Sequence, residues 1–526
     1  MRRPTELRIL SLALLFATIA RGEDAHSRSS IGREAAILRH LADNEEFQLS
    51  LVELLAYGQR LFTANWTLED GGGRPQTKGN GRPLSEPSQP LTGARAFNRI
   101  SAPDANSCAG CHNQPYGHAG GSGDFATNVF VLAQRFDFVD FESTDSTPTK
   151  GSADENNKAV SLRSIGNSRS TPGMFGAGYV EMLAREMTGE LQAIRDTVRP
   201  GERRTLTAKG VNFGIISRAK DGIWNTTAVA GLPRMSLVSA GPITPPDLIV
   251  RPWHQAANAV SLREFTNTSF NQHHGMQSTE RFGRDTDPDG DGVRNELTRA
   301  DITAVTLFQA ALPVPGRVIP RDAEIEEAVR RGGRLFSEIG CARCHVPSLP
   351  LSRKSWKYSE PGPFNPAGNL RRGETQAILM DLASPDLPQP RLRPETETSV
   401  SMDVPLYSDM KLHDITSGPE DPNAEPLDMN QTTWSPAFQK GNTKMLTARL
   451  WGSANQPPYF HHGRFTTMRE AIMAHSGEAL QERKSFMELA GRDRDTIVEF
   501  LKTMQVLPPG CVDLVVDERH RKREWR

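Results

Sequence analysis

The sequence predicts a mainly α chain with long irregular loops. Apolar residues recur at three- and four-residue steps in several separate stretches, the period of a helix face. Clean two-residue alternation is scarce, which argues against large sheets. The 44 Gly and 37 Pro among 526 residues break the helical stretches with loops. A chain of this length implies more than one domain. Its 62 basic and 63 acidic side chains leave a net charge of −1, so no strong field points to nucleic acid or a membrane surface.

The N-terminus reads as an address. Arg2, Arg3 and Arg8 precede the apolar run Ile9 to Ala20, with small residues at Ala17 and Ala20. This pattern predicts a signal peptide over 1–22 and a periplasmic or otherwise exported protein. The run is short for an ordinary span, and no other stretch is apolar enough to cross a membrane once the signal is removed.

From Ile31 to Phe62 the period is helical, through Ile37, Leu38, Leu41, Phe47, Leu51, Leu54 and Leu55. The run closes on Gly58-Gln59-Arg60-Leu61-Phe62. A similar string, Gly332-Gly333-Arg334-Leu335-Phe336, ends the helical run from Ala323. Each copy precedes a C-x-x-C-H, so the sequence carries an internal repeat. In the first copy a Gly/Pro/Ser-rich insertion, 69–106, intervenes and reads as a surface loop.

The two C-x-x-C-H stretches are Cys108-Ala109-Gly110-Cys111-His112 and Cys341-Ala342-Arg343-Cys344-His345. This is the attachment signature of c-type haem. Two thiols one turn apart add across the two vinyl groups of one porphyrin, and the adjacent His supplies the proximal imidazole. A redox dithiol or a zinc knuckle would use the same spacing, but zinc wants further Cys or His paired with each motif. Two copies take four of the five Cys, which predicts two covalently bound haem c. Cys511 is left as a free thiol.

After His112, Gly117 to Gly123 must be irregular backbone near the first haem. Asn128 to Phe138 reads as a strand, Glu142 to Asn157 as an exposed loop, and Ser168 to Val180 leads into a helix. Short strands and turns fill 205–250. Residues 247–283 hold Trp253, His254, His273, His274, Met276, Gln277 and Glu280, enough polar groups to line the first haem or the space between haems. Asp285, Asp287, Asp289, Gly290 and Glu296 then fit the calcium-loop spacing D-x-D-x-D-G-x5-E, with Asp291 and Asn295 offering a second register from Asp287. A helix from Glu296 to Leu312 ends at Pro313 and Pro315, a natural boundary. The predicted domains are 23–320 and 321–510, followed by a polar tail, 511–526. In the second, 346–445 is Pro-rich and irregular, with 403–414 able to approach the haem. Order returns at 447–452 and 457–465, then in helices Thr467 to Ser476 and Asp493 to Met504.

The string Pro458-Tyr459-Phe460-His461-His462-Gly463-Arg464-Phe465 and the helix after it, with two distant C-x-x-C-H motifs, resemble the bacterial di-haem cytochrome c peroxidases. CAGCHNQP, FNQHHGMQSTERFG, DPDGDGVRNELTRADITA and CARCHVPSLPL look closer still to the di-haem oxidoreductase branch, also labelled thiol oxidoreductase. The resemblance covers about 50–505. It implies two cytochrome-c-like haem domains with a calcium ion between them. It also implies a distal ligand to the second haem from the helix after the P-Y-x-H-x-G segment. That places His475 where many relatives carry Met, with Met473 the competing ligand. Bis-His ligation would lower the second haem's potential relative to His/Met.

For the first haem His112 is proximal, and His118, His273, His274 and Met276 are alternatives for the sixth position. An open position would let peroxide reach iron, with Gln277, Glu280 or Glu181 as the acid–base group. The sequence therefore predicts an exported di-haem c-type oxidoreductase of cytochrome c peroxidase type. It would exchange electrons with a small redox protein and act on hydrogen peroxide. The alternative is an electron-transfer cytochrome with two six-coordinate haems, without enzymatic activity.

Overall fold

The computed structural model describes residues 31–72, 105–129 and 166–525, apart from 289–290, 397, 426–427, 429, 432–434 and 438–439. The expected signal peptide, most of the 69–106 insertion, the loop 142–157 and Asp289 lie outside the described residues. Among the described residues no helix is long and apolar enough to cross a membrane.

The expectation of a mainly α chain is overturned. The chain is 32% helix and 16% strand. Fourteen strands form six sheets, each of two or three strands, among the described residues. Two-residue alternation hides in strands this short. Lys357–Glu360 pairs with Ile378–Asp381, and Ser401–Val404 with Leu349–Ser352. Each of these pairs closes a stretch of the Pro-rich region read as irregular. Cytochrome-c-like domains are likewise not what this arrangement of elements shows.

Helix α1 (Leu51–Thr63) is shorter than the period from Ile31 suggested. Ser50 fixes its start: its hydroxyl accepts from Glu53 N, and the Glu53 carboxylate caps Ser50. Upstream, Asn44 in the left-handed region leads only a single 3-10 turn, Glu45–Phe47. Strands β1 (Gly123–Val129) and β2 (Gly166–Thr171) pair antiparallel; of the strand expected at 128–138, only 128–129 are described, at the end of β1, and the rest lies outside the described residues. Helix α2 (Ala177–Asp196) is buried along most of its first half. Helix α3 (Arg299–Ala310) starts at the Thr298–Asp301 capping box and not at Glu296. Helix α4 (Ala323–Glu338) is capped by Asp322. Helices α5 (Met468–Ala474) and α6 (Gly491–Lys502) stand close to the predicted positions.

Packing repeats what the sequence repeats. α1 lies on α3, and α4 lies on α6. A Cβ on Gly58 would fall 2.1 Å from the Ala304 carbonyl oxygen and 2.9 Å from Phe308 Cβ. A Cβ on Gly332 would fall 1.9 Å from the Thr496 carbonyl oxygen and 2.9 Å from Phe500 Cβ. In each pair a glycine lets two helix backbones touch, one turn before a phenylalanine of the facing helix. The first pair belongs to a large core that also takes in residues from 349–406, the second to a smaller core around Phe336, Phe486 and Ile497.

Candidate functional site

Each C-x-x-C-H is a tight turn. His112 N donates to the Cys108 carbonyl at 2.9 Å, and His345 N to the Cys341 carbonyl at 3.0 Å. The phenylalanine that closes each G-x-x-L-F string touches the motif's imidazole. Phe62 and His112 ring centres are 6.1 Å apart, Phe336 and His345 6.3 Å. Each phenylalanine also packs at 5.4 Å on the ring from the facing helix, Phe308 or Phe500. The same five parts, glycine, two phenylalanines, thiol pair and imidazole, thus occur twice.

Both imidazoles are held through Nδ1. His112 Nδ1 donates to the Gly121 carbonyl at 3.0 Å, and His345 Nδ1 to the Tyr407 carbonyl at 3.1 Å. A carbonyl only accepts, so the proton sits on Nδ1 and Nε2 keeps its lone pair, the arrangement of a metal-bound histidine. Burial, with His273 as a further neighbour, holds His112 down to about 4. Burial and then His475 do the same for His345, also about 4. Both rings are therefore neutral and able to bind a metal.

The thiols argue against a redox dithiol. Burial pushes Cys108 up to about 12 and Cys341 up to about 11, whereas a reactive C-x-x-C keeps its attacking thiol low. A zinc site gains no support either. Cys344, Asp409 and His413 lie within ligand range of one another. His413, however, spends both ring nitrogens on carboxylates, Nε2 on Asp409 at 2.8 Å and Nδ1 on Glu478 at 2.7 Å. A doubly donating ring is an imidazolium and cannot be a ligand. Cys511 stands apart, 3.9 Å from the His520 carbonyl.

At the second motif His475 faces His345, ring centres 6.4 Å apart at 68°. Its Nδ1 donates to the Ala471 carbonyl at 2.8 Å, so its Nε2 also keeps a lone pair. Two rings sharing one metal ion through bonds of about 2 Å have centres roughly 6 Å apart. These residues fit an iron held between them. Met473, the competing residue, is 37% exposed.

Around the first motif the sequence candidates separate. His273 is near enough to His112 to depress its basicity. His274 bonds Cys108 Sγ at 3.2 Å and the Ala105 carbonyl at 2.9 Å. His118 stacks on Phe175. Met276 is fully buried below Gly72.

Gln277 N donates to Glu296 at 2.7 Å, and Glu280 binds the buried Arg263 at 2.6 Å and Asn267 at 2.6 Å. Glu181 pairs with Arg185 and accepts from Leu262 N. Arg263 also bridges from Glu280 to Glu360, and none of the described partners of Gln277, Glu280 and Glu181 is a motif residue.

The calcium-type residues divide as well. Asp285 is cross-bonded to Asn295, and Asp287 accepts from Asp291 N and Gly292 N. Glu296 is buried and accepts from Gln277 N.

A different buried constellation lies between the motifs. Glu425 accepts from Arg169 and from Gln255, with His461 Nε2 at 3.8 Å. Its second oxygen is buried without a hydrogen-bond partner. Burial raises the Glu425 carboxyl, while burial and neighbouring cations hold His461 at about 2 and His254 well below its usual value. His254 and His112 both feel His273, which ties this constellation to the first motif. Phe460, next to His461, packs on His475 at 5.3 Å, which ties it to the second. Trp253, His254 and His461 stood in stretches the sequence singled out. Arg169 and Glu425, 256 residues apart, carried no sequence signal.

Two matched turns of thiol pair and imidazole thus stand in one chain, each with the residue types that can hold a haem. Residues 398–504 match the family described as "Di-haem oxidoreductase, putative peroxidase", which bears out the resemblance over that segment. The segment holds Glu425, Arg449, His461 and His475 and neither C-x-x-C-H. No curated protein matches. Among solved structures, Kuenenia stuttgartiensis hydrazine synthase pressurized with xenon aligns over 90% of this chain and 97% of its own, at 13% identity and a TM-score of 0.31. A likeness that distant bears on neither fold nor chemistry.

Proposed function

We propose that this chain is an exported di-haem c-type oxidoreductase that reduces a peroxide with electrons from a small redox protein. The observation that carries the reading is the doubled site. Each C-x-x-C-H presents a thiol pair and an imidazole whose Nδ1 is locked to a backbone carbonyl. Cys108 and Cys111 would fasten one haem over His112, and Cys341 and Cys344 the other between His345 and His475. Bound there, haem supplies one-electron chemistry at each site.

The residues divide the remaining work. His345 and His475 hold the second site on both sides, which suits relay of electrons. Reduction of hydrogen peroxide to two waters takes two electrons and two protons. Glu425, with His461 and His254, is the group able to hold and hand on a proton near the first site. Trp253, stacked under Arg449, would serve as an aromatic bridge between the two sites. Calcium, where it binds, would use Asp285, Asp287 and Asp291. Calorimetric titration of the purified chain with calcium, giving no heat, would remove that part alone.

The test is spectroscopic. Purified protein should retain two haems after denaturation and show one high-spin and one low-spin signal, the high-spin one responding to peroxide. His475→Gly should change the low-spin signal and leave the other. Two low-spin haems indifferent to peroxide, even after half-reduction, would establish an electron-transfer cytochrome instead.

A further inference from the structure

Among the described residues, the buried Arg449 has no carboxylate partner and makes a single hydrogen bond. Arg263 has Glu280 and Glu360, Arg185 has Glu181, and Arg169 has Glu425. Arg391 lacks a carboxylate but donates to three backbone carbonyls, those of Leu382, Ala311 and Leu312. Arg449 makes one bond, from Nη2 to the Gly173 carbonyl at 3.3 Å. Its Nη1 is shut off from solvent without a partner. Burial alone brings the guanidinium down to about 10, with no carboxylate among the described residues opposing it. The guanidinium lies 5.5 Å over the Trp253 ring, and the Trp253 Nε1 donor is also buried and unpartnered. Two adjacent side chains thus bury two donors with no acceptor among the described residues, an arrangement that costs about 1–3 kcal/mol per group unless a further partner is present.

The place is as informative as the vacancy in bonding. Arg449 follows Ala448, whose carbonyl, with that of Tyr407, faces His345. The carbonyl that Arg449 does bind belongs to Gly173, which follows Pro172. The Pro172 carbonyl, with that of Gly121, faces His112. One side chain therefore spans the backbone supports of both proximal imidazoles. An anion entering the space between the two sites would meet both donors and the unopposed charge of Arg449.

We propose that Arg449 and Trp253 form a carboxylate-binding site for haem propionate between the two C-x-x-C-H sites. The inference rests on the two-haem reading. Arginine suits the task because its planar fork pairs with a carboxylate through two donors and keeps its charge when buried. The cation would offset propionate charge beside the porphyrin and so favour the reduced iron.

The experiment is a spectroelectrochemical titration of both haems in the wild-type chain, Arg449→Gln, Arg449→Lys and Trp253→Phe, with covalent haem counted in each. R449Q should keep two haems and lower the midpoint of at least one by about a tenfold change in the reduced-to-oxidised ratio, ~59 mV for one electron. R449K should recover most of that shift, and W253F should move the same midpoint the same way by less. Unchanged midpoints in R449Q with two haems bound would reduce Arg449 to a clip for the Gly173 carbonyl and overturn the proposal. If R449Q does not fold, unmoved midpoints in both R449K and W253F overturn it equally. A wild-type chain without covalent haem would instead sink the two-haem reading itself.

Discussion

A buried carboxylate that leaves one oxygen unbonded is costly, so Glu425 must gain from its position. One oxygen takes both Arg169 and Gln255 while the other has no described partner. Burial favours its protonated form, and Arg169 opposes that. A shift in that direction is what the proposed proton-transfer role would call for. Glu425→Gln keeps the shape and the hydrogen bonding of one oxygen but cannot release a proton. Peroxide-dependent oxidation of a reduced donor should fall roughly 100-fold, the lower end of what a positioned acid–base group contributes. Both haem spectra should stay as they are. Full activity in E425Q would show that the Arg169–Glu425 pair only joins β2 to the segment at 425. Arg169 would also lose its counter-charge, so a lower melting temperature accompanies either outcome.

The repeated helix pairs make a sharper demand. Gly58 and Gly332 each sit where a Cβ would overlap a carbonyl oxygen of the facing helix. Gly58→Ala and Gly332→Ala must push α1 from α3, or α4 from α6, and each should cost about 3 kcal/mol, the upper part of the overpacking range. The displacement also moves one phenylalanine that lies on one imidazole. G58A should disturb the spectrum of the haem at His112, and G332A that of the haem at His345. Equal disturbance of both by either variant would mean that the repeat does not partition the sites. At this scale the sequence was informative, since G-x-x-L-F and C-x-x-C-H are local strings whose partners repeat. The facing helices were visible as helices, but not as the partners of those glycines. α1 was overextended because its apolar period continues upstream of the Ser50–Glu53 cap that starts the helix.

Across the whole molecule, local patterns carried less. The small sheets join strands of two to eight residues across long loops, so no window held enough alternation to reveal them. The turns at Cys108 and Cys341 and the cap at Thr467 were legible because each is complete within a few residues. Glu425, Arg169 and Arg449 were not, because their meaning lies in partners set by tertiary packing. Glu280 was of the right chemical type, and its partner Arg263 is likewise set by tertiary packing.

The same long-range packing sets how stability follows pH. His254, His461 and His462 are buried neutral, the last two with folded values of about 2 and about 4. Their folded values lie below the unfolded value of about 6.5, so the unfolded chain binds more protons and stability is lost as pH falls below that point. His413 works the other way. Burial opposes its charge, but Asp409, Cys344 and Glu478 raise it to about 11. Its contribution is complete below about pH 6.5 and is lost as pH rises toward 11. Urea midpoints of the intact chain should therefore peak near neutrality and fall on both sides. His413→Gln should selectively remove the His413-linked part of the alkaline slope while lowering the whole curve by about 3 kcal/mol, because Asp409 is left buried without its cation. If that part of the slope survives in H413Q, the ring between Asp409 and Glu478 is not its source.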